Sequence, residues 1–380
     1  MILPPATIGV LGGGQLGRYF VLAAHKLGYR VLVLDPDKQS VAGQIADEHI
    51  IAAYDDVNAL NYMATACSAV TTEFENIPAD TLDYLAGHIP VRPSAAAVRI
   101  CQNRSREKSF LQAHDIPHAA SLNITGEQDI LMSPASIYPG IIKLASSGYD
   151  GKGQQIVENK SEALAAFNQF NSQPCVLEKK LELDYEVSVV LARNEDGNTA
   201  FFPIAQNVHK HGILDVSVMP APALPEHLRI EAEGIARLIA GKMDYIGTMA
   251  VEFFVAGGQL LVNEIAPRPH NSGHATIDAC YTSQFEQQVR ALCGLPLGDS
   301  RAHSSAIMIN ILGDHWYQGS DGQTKIPDWQ ALLSIPALKL HLYGKEEPRP
   351  GRKMGHFTIL TEQSGNWDLM AANARQKLSA

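Results

Sequence analysis

The run VEFFVAGGQLLVNEIAPRPHNSGH, Val251 to His274, decides how this chain is read. Val251–Val255 and Gln259–Ile265 are apolar runs of strand length, and Ala256-Gly257-Gly258 reads as the turn between them. A three-residue loop centred on Gly258 sets Glu252 directly opposite Glu264, on one face of the sheet. Like charges so placed destabilise a hairpin unless a cation lies between them. A hard cation such as Mg2+, with Mn2+ as the alternative, takes oxygen ligands and sits between a few carboxylates and substrate phosphates. A solvated hairpin with two surface glutamates is the plain alternative. Against it stands the polar cluster that follows at once: Arg268, His270, Asn271, Ser272 and His274.

Outward from the hairpin, residues 228–242 read as an amphipathic helix, and Pro174–Glu178 and Tyr185–Ala192 as strands. Tyr138–Leu144 is a strand that ends on a lysine, Lys143, and Ser161–Gln169 is a helix with Ser161 as its N-cap. This mixture indicates an α+β unit with antiparallel strands. The first hundred residues differ. Thr7–Leu11 and Arg30–Leu34 are strands around a helix at Gln15–Leu27, with short strands later at Ser68–Thr72 and Ile89–Val91. Such alternation indicates an α/β unit with a parallel sheet. A charged helix at Arg104–His114 leads out of it, and beyond about 295 come shorter strands, prolines and a helical tail.

The bulk composition narrows the classes. A chain of 380 residues suits two or three domains, and 46% hydrophobic with 18% charged residues is ordinary for a globular protein. A net charge of −10 with no polybasic run argues against a nucleic-acid partner. No apolar run approaches the ~18 residues of a membrane span, and the chain enters a strand almost at once, so neither a membrane helix nor a signal peptide is expected. The cysteines Cys67, Cys101, Cys175, Cys280 and Cys293 are scattered, without a C-x-x-C pair. Reduced thiols in a cytoplasmic protein are the simplest reading.

Four other motifs carry chemistry. Gly12-Gly13-Gly14-Gln15-Leu16-Gly17 satisfies G-x-G-x-x-G between a strand and a helix, and Asp35 ends the next strand. Alone it reads as a dinucleotide site and an NAD-dependent oxidoreductase, although such a turn also serves close packing or another anion. Ser147–Gln154 is glycine-rich, with amides suited to phosphates, and Lys143 just before it is a point charge for one. Glu178 to Leu181 closes a strand whose edge suits a purine, with Glu186 beyond it as a ribose ligand. Around Lys345 and Arg352 lies a local basic patch that suits a phosphate monoester. Each has a bland alternative, a surface loop or a solvated charge.

In order along the chain, a strand lysine, a glycine loop, a strand edge and two late glutamates resemble the ATP-grasp superfamily. Closer still is the resemblance to the N5-carboxyaminoimidazole ribonucleotide synthases of de novo purine biosynthesis. It is carried by GVLGGGQLGR, TTEFENIP, GYDGKGQ, NVHKHGIL, NEIAPRPHNSGH and PGRKMGH, from Gly9 to His356. The resemblance implies a Rossmann-like pre-ATP-grasp domain over 1–103, an ATP-grasp domain over 104–295 with a lid at about 116–181, and a small C-terminal domain over 296–380. It implies a ligase that joins bicarbonate to 5-aminoimidazole ribonucleotide with ATP and Mg2+, through carboxyphosphate, in a homodimer. ATP contacts would fall on Arg104, Lys143, Gly148, Tyr149, Asp150, Gly151, Lys152, Gly153, Gln154, Glu178, Lys179, Lys180, Leu181, Glu186, His209, Asn263 and Glu264. Glu252 and Glu264 would hold the metal. The ribonucleotide would meet Tyr149, Asp150, Arg268, His270, Asn271, Ser272, Lys345 and Arg352, with Gln15 and Glu73 facing the same cleft. Lys143, Arg268 and Asp150 are the catalytic candidates, the last to orient or deprotonate the amine. Another ATP-grasp ligase, the oxidoreductase, and a nucleotide-binding module without turnover are the rivals.

Overall fold

The computed structural model describes residues 1–146, 153–317, 324–362 and 366–378. Its first unit is a parallel sheet of β1 (Thr7–Leu11), β2 (Arg30–Leu34), β3 (Glu48–Ile50) and β4 (Val70–Thr72), in the order β3-β2-β1-β4. The two central strands, β1 and β2, are apolar along most of their length because helices cover both faces. Phe20 and Val21 of the helix Gln15–Lys26 pack with Val10 and Val33 on one side, and Leu11 and Leu34 pack with Met63 and Leu82 on the other. The strand expected at Ile89–Val91 is reduced to a bridge between Val70 and Val91.

The second sheet is antiparallel: β5 (Ser121–Ile124), β6 (Gly140–Leu144), β7 (Gln154–Val157) and β8 (Cys175–Lys179), in the order β5-β8-β6-β7. The helix Lys160–Gln169 covers it with Ala163, Ala166 and Phe167. Asn159 rather than Ser161 caps that helix, since its Oδ1 accepts from the Glu162 N–H at 3.1 Å. Ser161 already lies inside the first turn.

The third sheet holds nine strands: β9 (Tyr185–Arg193), β10 (Thr199–Phe201), β11 (Ala205–Lys210), β12 (Ile213–Met219), β13 (Gly247–Ala256), β14 (Gln259–Ala266), β15 (Ser305–Leu312), β16 (Leu338–Leu342) and β17 (Lys353–Thr361). Its order is β14-β13-β9-β11-β12-β15-β17-β16, with β10 beside β9. Since β12 pairs with β15, the C-terminal strands extend the central sheet. The helix Glu226–Lys242 buries Leu228, Ala236 and Ile239 against Val189, Val251 and Phe253. Full burial of each such large side chain contributes about 1.5–3 kcal/mol. The helix Gln284–Leu292 ties this sheet to the first unit, with Phe285, Val289 and Leu292 packed among Tyr19, Phe20 and Tyr29.

The hairpin of β13 and β14 reaches the expected register by another route. Ala256 pairs with Gln259, so the loop is only Gly257-Gly258, with φ of 56° and 73°. Positive φ at both central residues is what a tight hairpin turn requires, and glycine supplies it without strain. A two-residue loop alone would set Asn263 opposite Glu252. A β-bulge between Phe253 and Glu252, with Asn263 as the extra residue, shifts the register by one and brings Glu264 there instead.

Candidate active site

A cleft of about 540 Å³ opens where the three sheets meet. The second sheet contributes Ile141, Lys143 and Gln154, and the third contributes Glu186, His209, Glu252, Phe254, Asn263, Glu264 and Lys353. Gln15, Glu73, Phe74 and Glu75 come from the first unit, Arg104 from the next helix, and Arg268, His270 and Asn271 from the turn after β14. A roomier depression of about 890 Å³, around Pro203, Arg301 and Glu362, is open to solvent and gathers no comparable set of charges.

The opposed glutamates form the acidic end. Burial first, and then the charge of Glu264, push the Glu252 carboxyl up to about 7. Asn263 Nδ2 donates to Glu252 Oε2 at 3.2 Å, and Arg104 Nη1 lies 3.5 Å from Glu264 Oε2. His209 Nδ1 sits 3.0 Å from Glu186 Oε2. Burial works to lower that imidazole, but the bond to Glu186 and the charge of Glu252 outweigh it and raise it. Among the described residues no three His, Cys, Asp or Glu side chains converge as a complete cage. Two facing carboxylates with oxygen donors alone fit a hard cation that completes its shell with water and phosphate, and do not fit zinc.

His270 is held by a buried polar chain. The Ser272 N–H donates to its Nδ1 at 3.3 Å, so the proton resides on Nε2, 3.5 Å from Glu252 Oε1. Ser188 Oγ donates to Ser272 Oγ at 2.7 Å, and Asn207 Nδ2 to Ser188 Oγ at 3.0 Å. Burial, then the charge of Arg268, push the His270 imidazole well down, so it stays neutral. Asn271 lines the cleft with both side-chain amide atoms buried and without a partner among the described residues.

The basic end is built around one carboxylate. Lys143 Nζ donates to Glu178 Oε2 at 2.6 Å, and Lys108 Nζ lies 3.5 Å from Glu178 Oε1. Burial works to raise Glu178, but Lys108 and Lys143 hold it at about 2. Burial pushes Lys143 down, and its attraction to Glu178 offsets this in part. The two shifts pull against each other because Glu178 gains from several cations, whereas Lys143 faces one anion and the like charges of Lys108 and Arg104. The ionised pair is the consistent state at this distance.

The glycine turn of the first unit is already filled. Glu73 accepts from the N–H groups of Gly14 at 2.5 Å and Gly17 at 2.6 Å, and Asp35 from that of Gly13 at 2.6 Å. A Cβ at Gly14 would come within 2.4 Å of Glu73 Oε1, which explains the glycine. The amides that would receive a dinucleotide pyrophosphate bind the chain's own carboxylates, which removes the oxidoreductase reading. Two residues on from Glu73, Glu75 pairs with Arg268 Nε. Burial opposes the charged guanidinium, but Glu75 outweighs it and raises Arg268 further.

Comparison with known proteins settles the family. Three domain families match in succession: the ribonucleotide synthetase preATP-grasp domain at 5–102, the ATP-grasp domain at 109–285, and the phosphoribosylaminoimidazole carboxylase C-terminal domain at 306–368. The chain is 43% identical over 359 residues to the N5-carboxyaminoimidazole ribonucleotide synthase of Brucella melitensis, covering 93% of this chain and 96% of that protein. With the Bacillus subtilis synthase it shares 37% over 369 residues, 97% and 94% of the two chains. The chain belongs to the N5-carboxyaminoimidazole ribonucleotide synthase family. A solved ADP complex of such a synthetase superposes with a TM-score of 0.91 at 39% identity, over 100% of this chain and 97% of the other. The Aspergillus clavatus enzyme with ADP and 5-aminoimidazole ribonucleotide gives 0.89 at 29%, over 98% of each. The chain is therefore an ATP-grasp ligase that carboxylates 5-aminoimidazole ribonucleotide for purine biosynthesis.

Some of the expected site residues lie elsewhere. Glu178 is beneath Lys143, not on the cleft wall, and Ser272 acts from within the polar chain behind His270. Lys179 Nζ turns to the carbonyl oxygens of Ser136 and Tyr138, at 2.7 and 3.2 Å, and the Lys180 N–H donates to Pro139 O. Neither they nor Leu181 and Gly153 line the cleft. Lys345 and Arg352 line an adjoining cleft of about 480 Å³ that shares Glu73 and Phe74 with the first. Lys345 bridges the two clefts by donating to Gln15 Oε1 at 2.8 Å. Gly148, Tyr149, Asp150, Gly151 and Lys152 lie outside the described residues. Sequence reading missed Glu75, Lys108 and Lys353. Lys108 had a signal, since it follows Arg104 by four positions and so shares its helix face.

Proposed function

We propose that the carboxyl group comes from bicarbonate and passes through carboxyphosphate. A bicarbonate oxygen attacks the γ-phosphorus of ATP and ADP leaves. The amine nitrogen of the ribonucleotide then attacks the carboxyphosphate carbon, phosphate leaves, and the nitrogen gives up a proton. The observation that carries this reading is the arrangement of Glu252 and Glu264 facing Lys143 and Arg268 in one cleft. Phosphoryl transfer asks for positioning and charge neutralisation, and those are the resources this cleft holds. Glu252 and Glu264 hold Mg2+, with Mn2+ as a substitute; the ion neutralises phosphate charge when bound.

Lys143 and Arg104 draw the polyphosphate oxygens, and Glu186 takes the ribose hydroxyls. Arg268, its Nε turned to Glu75 and its Nη1 donating to Pro269 O at 3.2 Å, offers its other N–H groups to the planar carboxyphosphate. Asn271 meets the polar groups of the ribonucleotide, whose phosphate reaches Lys345 and Arg352 in the adjoining cleft. Asp150 orients the amine, an assignment that rests on the sequence. We also infer a cytoplasmic homodimer, which the family resemblance implies. Among the described residues no helix is long and apolar enough to cross a membrane. Phosphate release from ATP should require 5-aminoimidazole ribonucleotide and rise with bicarbonate. Release indifferent to the ribonucleotide would overturn the reading.

A further inference from the structure

The helix Arg104–Ala113 carries two buried ionisable side chains that the reaction as described does not use, Glu107 at 3% exposure and Lys108 at 4%. Burying ions is costly unless they are partnered, and these two are directed at the residues on either side of Glu264. Lys108 Nζ donates to the carbonyl oxygen of Asn263 at 2.8 Å. Glu107 Oε2 accepts from the N–H of Ile265 at 3.1 Å. Asn263 is the extra residue of the bulge, and β14 is the edge strand of its sheet. Outward backbone groups of an edge strand have no neighbouring strand to hold them. A slip of one residue there would turn the Glu264 side chain to the opposite face. One step earlier, the Val262 N–H donates to Pro117 O at 2.8 Å. The outer edge is thus held at 262, 263 and 265, around the carboxylate that must not move.

We propose that Glu107 and Lys108 are positioning residues for the carboxylate pair. Together they clamp the bulge from both sides and fix Glu264 opposite Glu252. Lys108 also lies 3.5 Å from Glu178, which is bonded to Lys143 at 2.6 Å. A continuous buried chain therefore runs from Lys143 through Glu178 and Lys108 to the carbonyl of Asn263. It ties the phosphate-directed lysine of the second sheet to the acidic hairpin of the third. The inference rests on the reading of Glu252 and Glu264 as the cation carboxylates.

The test uses the full chain and measures binding rather than turnover. The Mg2+ concentration giving half-maximal ADP binding, read by calorimetry, should rise about 10- to 100-fold in Glu107→Leu and in Lys108→Met, the range found when groups behind metal ligands are removed. Affinity for the ribonucleotide should stay within about two-fold, because its contacts are unaltered. Glu107→Gln keeps an acceptor oxygen for Ile265 and should bind with nearly the wild-type Mg2+ dependence. Wild-type Mg2+ dependence in both the leucine and methionine variants overturns the proposal, as does equal impairment of ADP and ribonucleotide binding. A further measurement needs no variant: amide hydrogen exchange at Ile265 should be slow in the wild type, and exchange as fast as an open strand edge refutes the clamp. Should Glu264→Gln keep the wild-type Mg2+ dependence, the cation reading fails, while the exchange result still reports on the clamp alone.

Discussion

Glutamine at position 252 should stabilise the cation-free protein while removing its reaction. Glu252 is 7% exposed and faces Glu264 across the hairpin. Burial and then the Glu264 charge raise its carboxyl from 4.5 to about 7. At about 1.36 kcal/mol per pH unit, this corresponds to on the order of 3 kcal/mol. Because the folded-state value is the raised one, the folded protein holds the proton more tightly than the unfolded chain does. The associated stability is fully present below 4.5 and is lost as the pH rises through about 7, beyond which the fold carries a buried charge. Glu252→Gln has no such proton to lose, and its amide keeps an oxygen for Asn263 Nδ2, now 3.2 Å from Glu252 Oε2. Urea unfolding with a chelator present, near pH ~5 and pH ~8, reads the effect, since titrations of groups that Glu252 does not influence cancel between variant and wild type, and the change at His209 is part of what its charge does. The variant should be more stable by about 2–3 kcal/mol at the higher pH and close to wild type at the lower one. Mg2+ with ADP should close the gap by stabilising the wild type. Equal stability near pH ~8, or a difference that does not change over this interval, would refute the opposed-charge account.

Three further outcomes follow from named contacts. Arg268→Lys keeps the charge but loses the fork, so kcat should fall about 10²-fold with little change in ADP affinity; near-wild-type kcat would remove Arg268 from the reacting centre. Glu73→Gln turns an amide N–H toward one of the two glycine N–H groups now bonded at 2.5 and 2.6 Å. It should lower stability by about 2–3 kcal/mol in urea unfolding, and an unshifted midpoint would show that the turn does not need the carboxylate. Lys345→Ala should raise KM for the ribonucleotide more than KM for ATP, whereas an unchanged ribonucleotide KM would make the adjoining cleft a mere surface feature.

What could be read from the sequence depended on how local the signal was. The strands at Thr7–Leu11 and Arg30–Leu34 and the helix from Arg104 were visible because apolar periodicity and caps act within a few residues. The opposition of Glu252 and Glu264 was also expected, but from the wrong loop. The pattern Ala256-Gly257-Gly258 cannot distinguish a three-residue loop from a two-residue loop with a bulge, because both give the same pairing at Glu252. The bulge is set by Lys108 and Glu107, more than 150 positions away, and no local pattern contains that information. The glycine turn at Gly12–Gly17 failed as a cofactor signal for the same reason. Its anion, Glu73, lies 59 residues from Gly14.

The charges of the cleft are not evenly matched, and the mismatch locates where ligands are needed. Arg268 is met by Glu75, Lys143 by Glu178, and His209 by Glu186. Glu252 is met instead by a second carboxylate and by His270, which burial keeps neutral. Arg104 Nη1, 3.5 Å from Glu264 Oε2, offsets part of that negative charge, and the hairpin keeps the acidic character that suits a divalent cation. A nucleotide phosphate entering the cleft would meet Lys143, whose ammonium burial disfavours and Glu178 holds at 2.6 Å. A cation at the hairpin and a nucleotide at Lys143 would each improve the electrostatics for the other. For that reason ADP affinity should depend on Mg2+ more steeply than ribonucleotide affinity does.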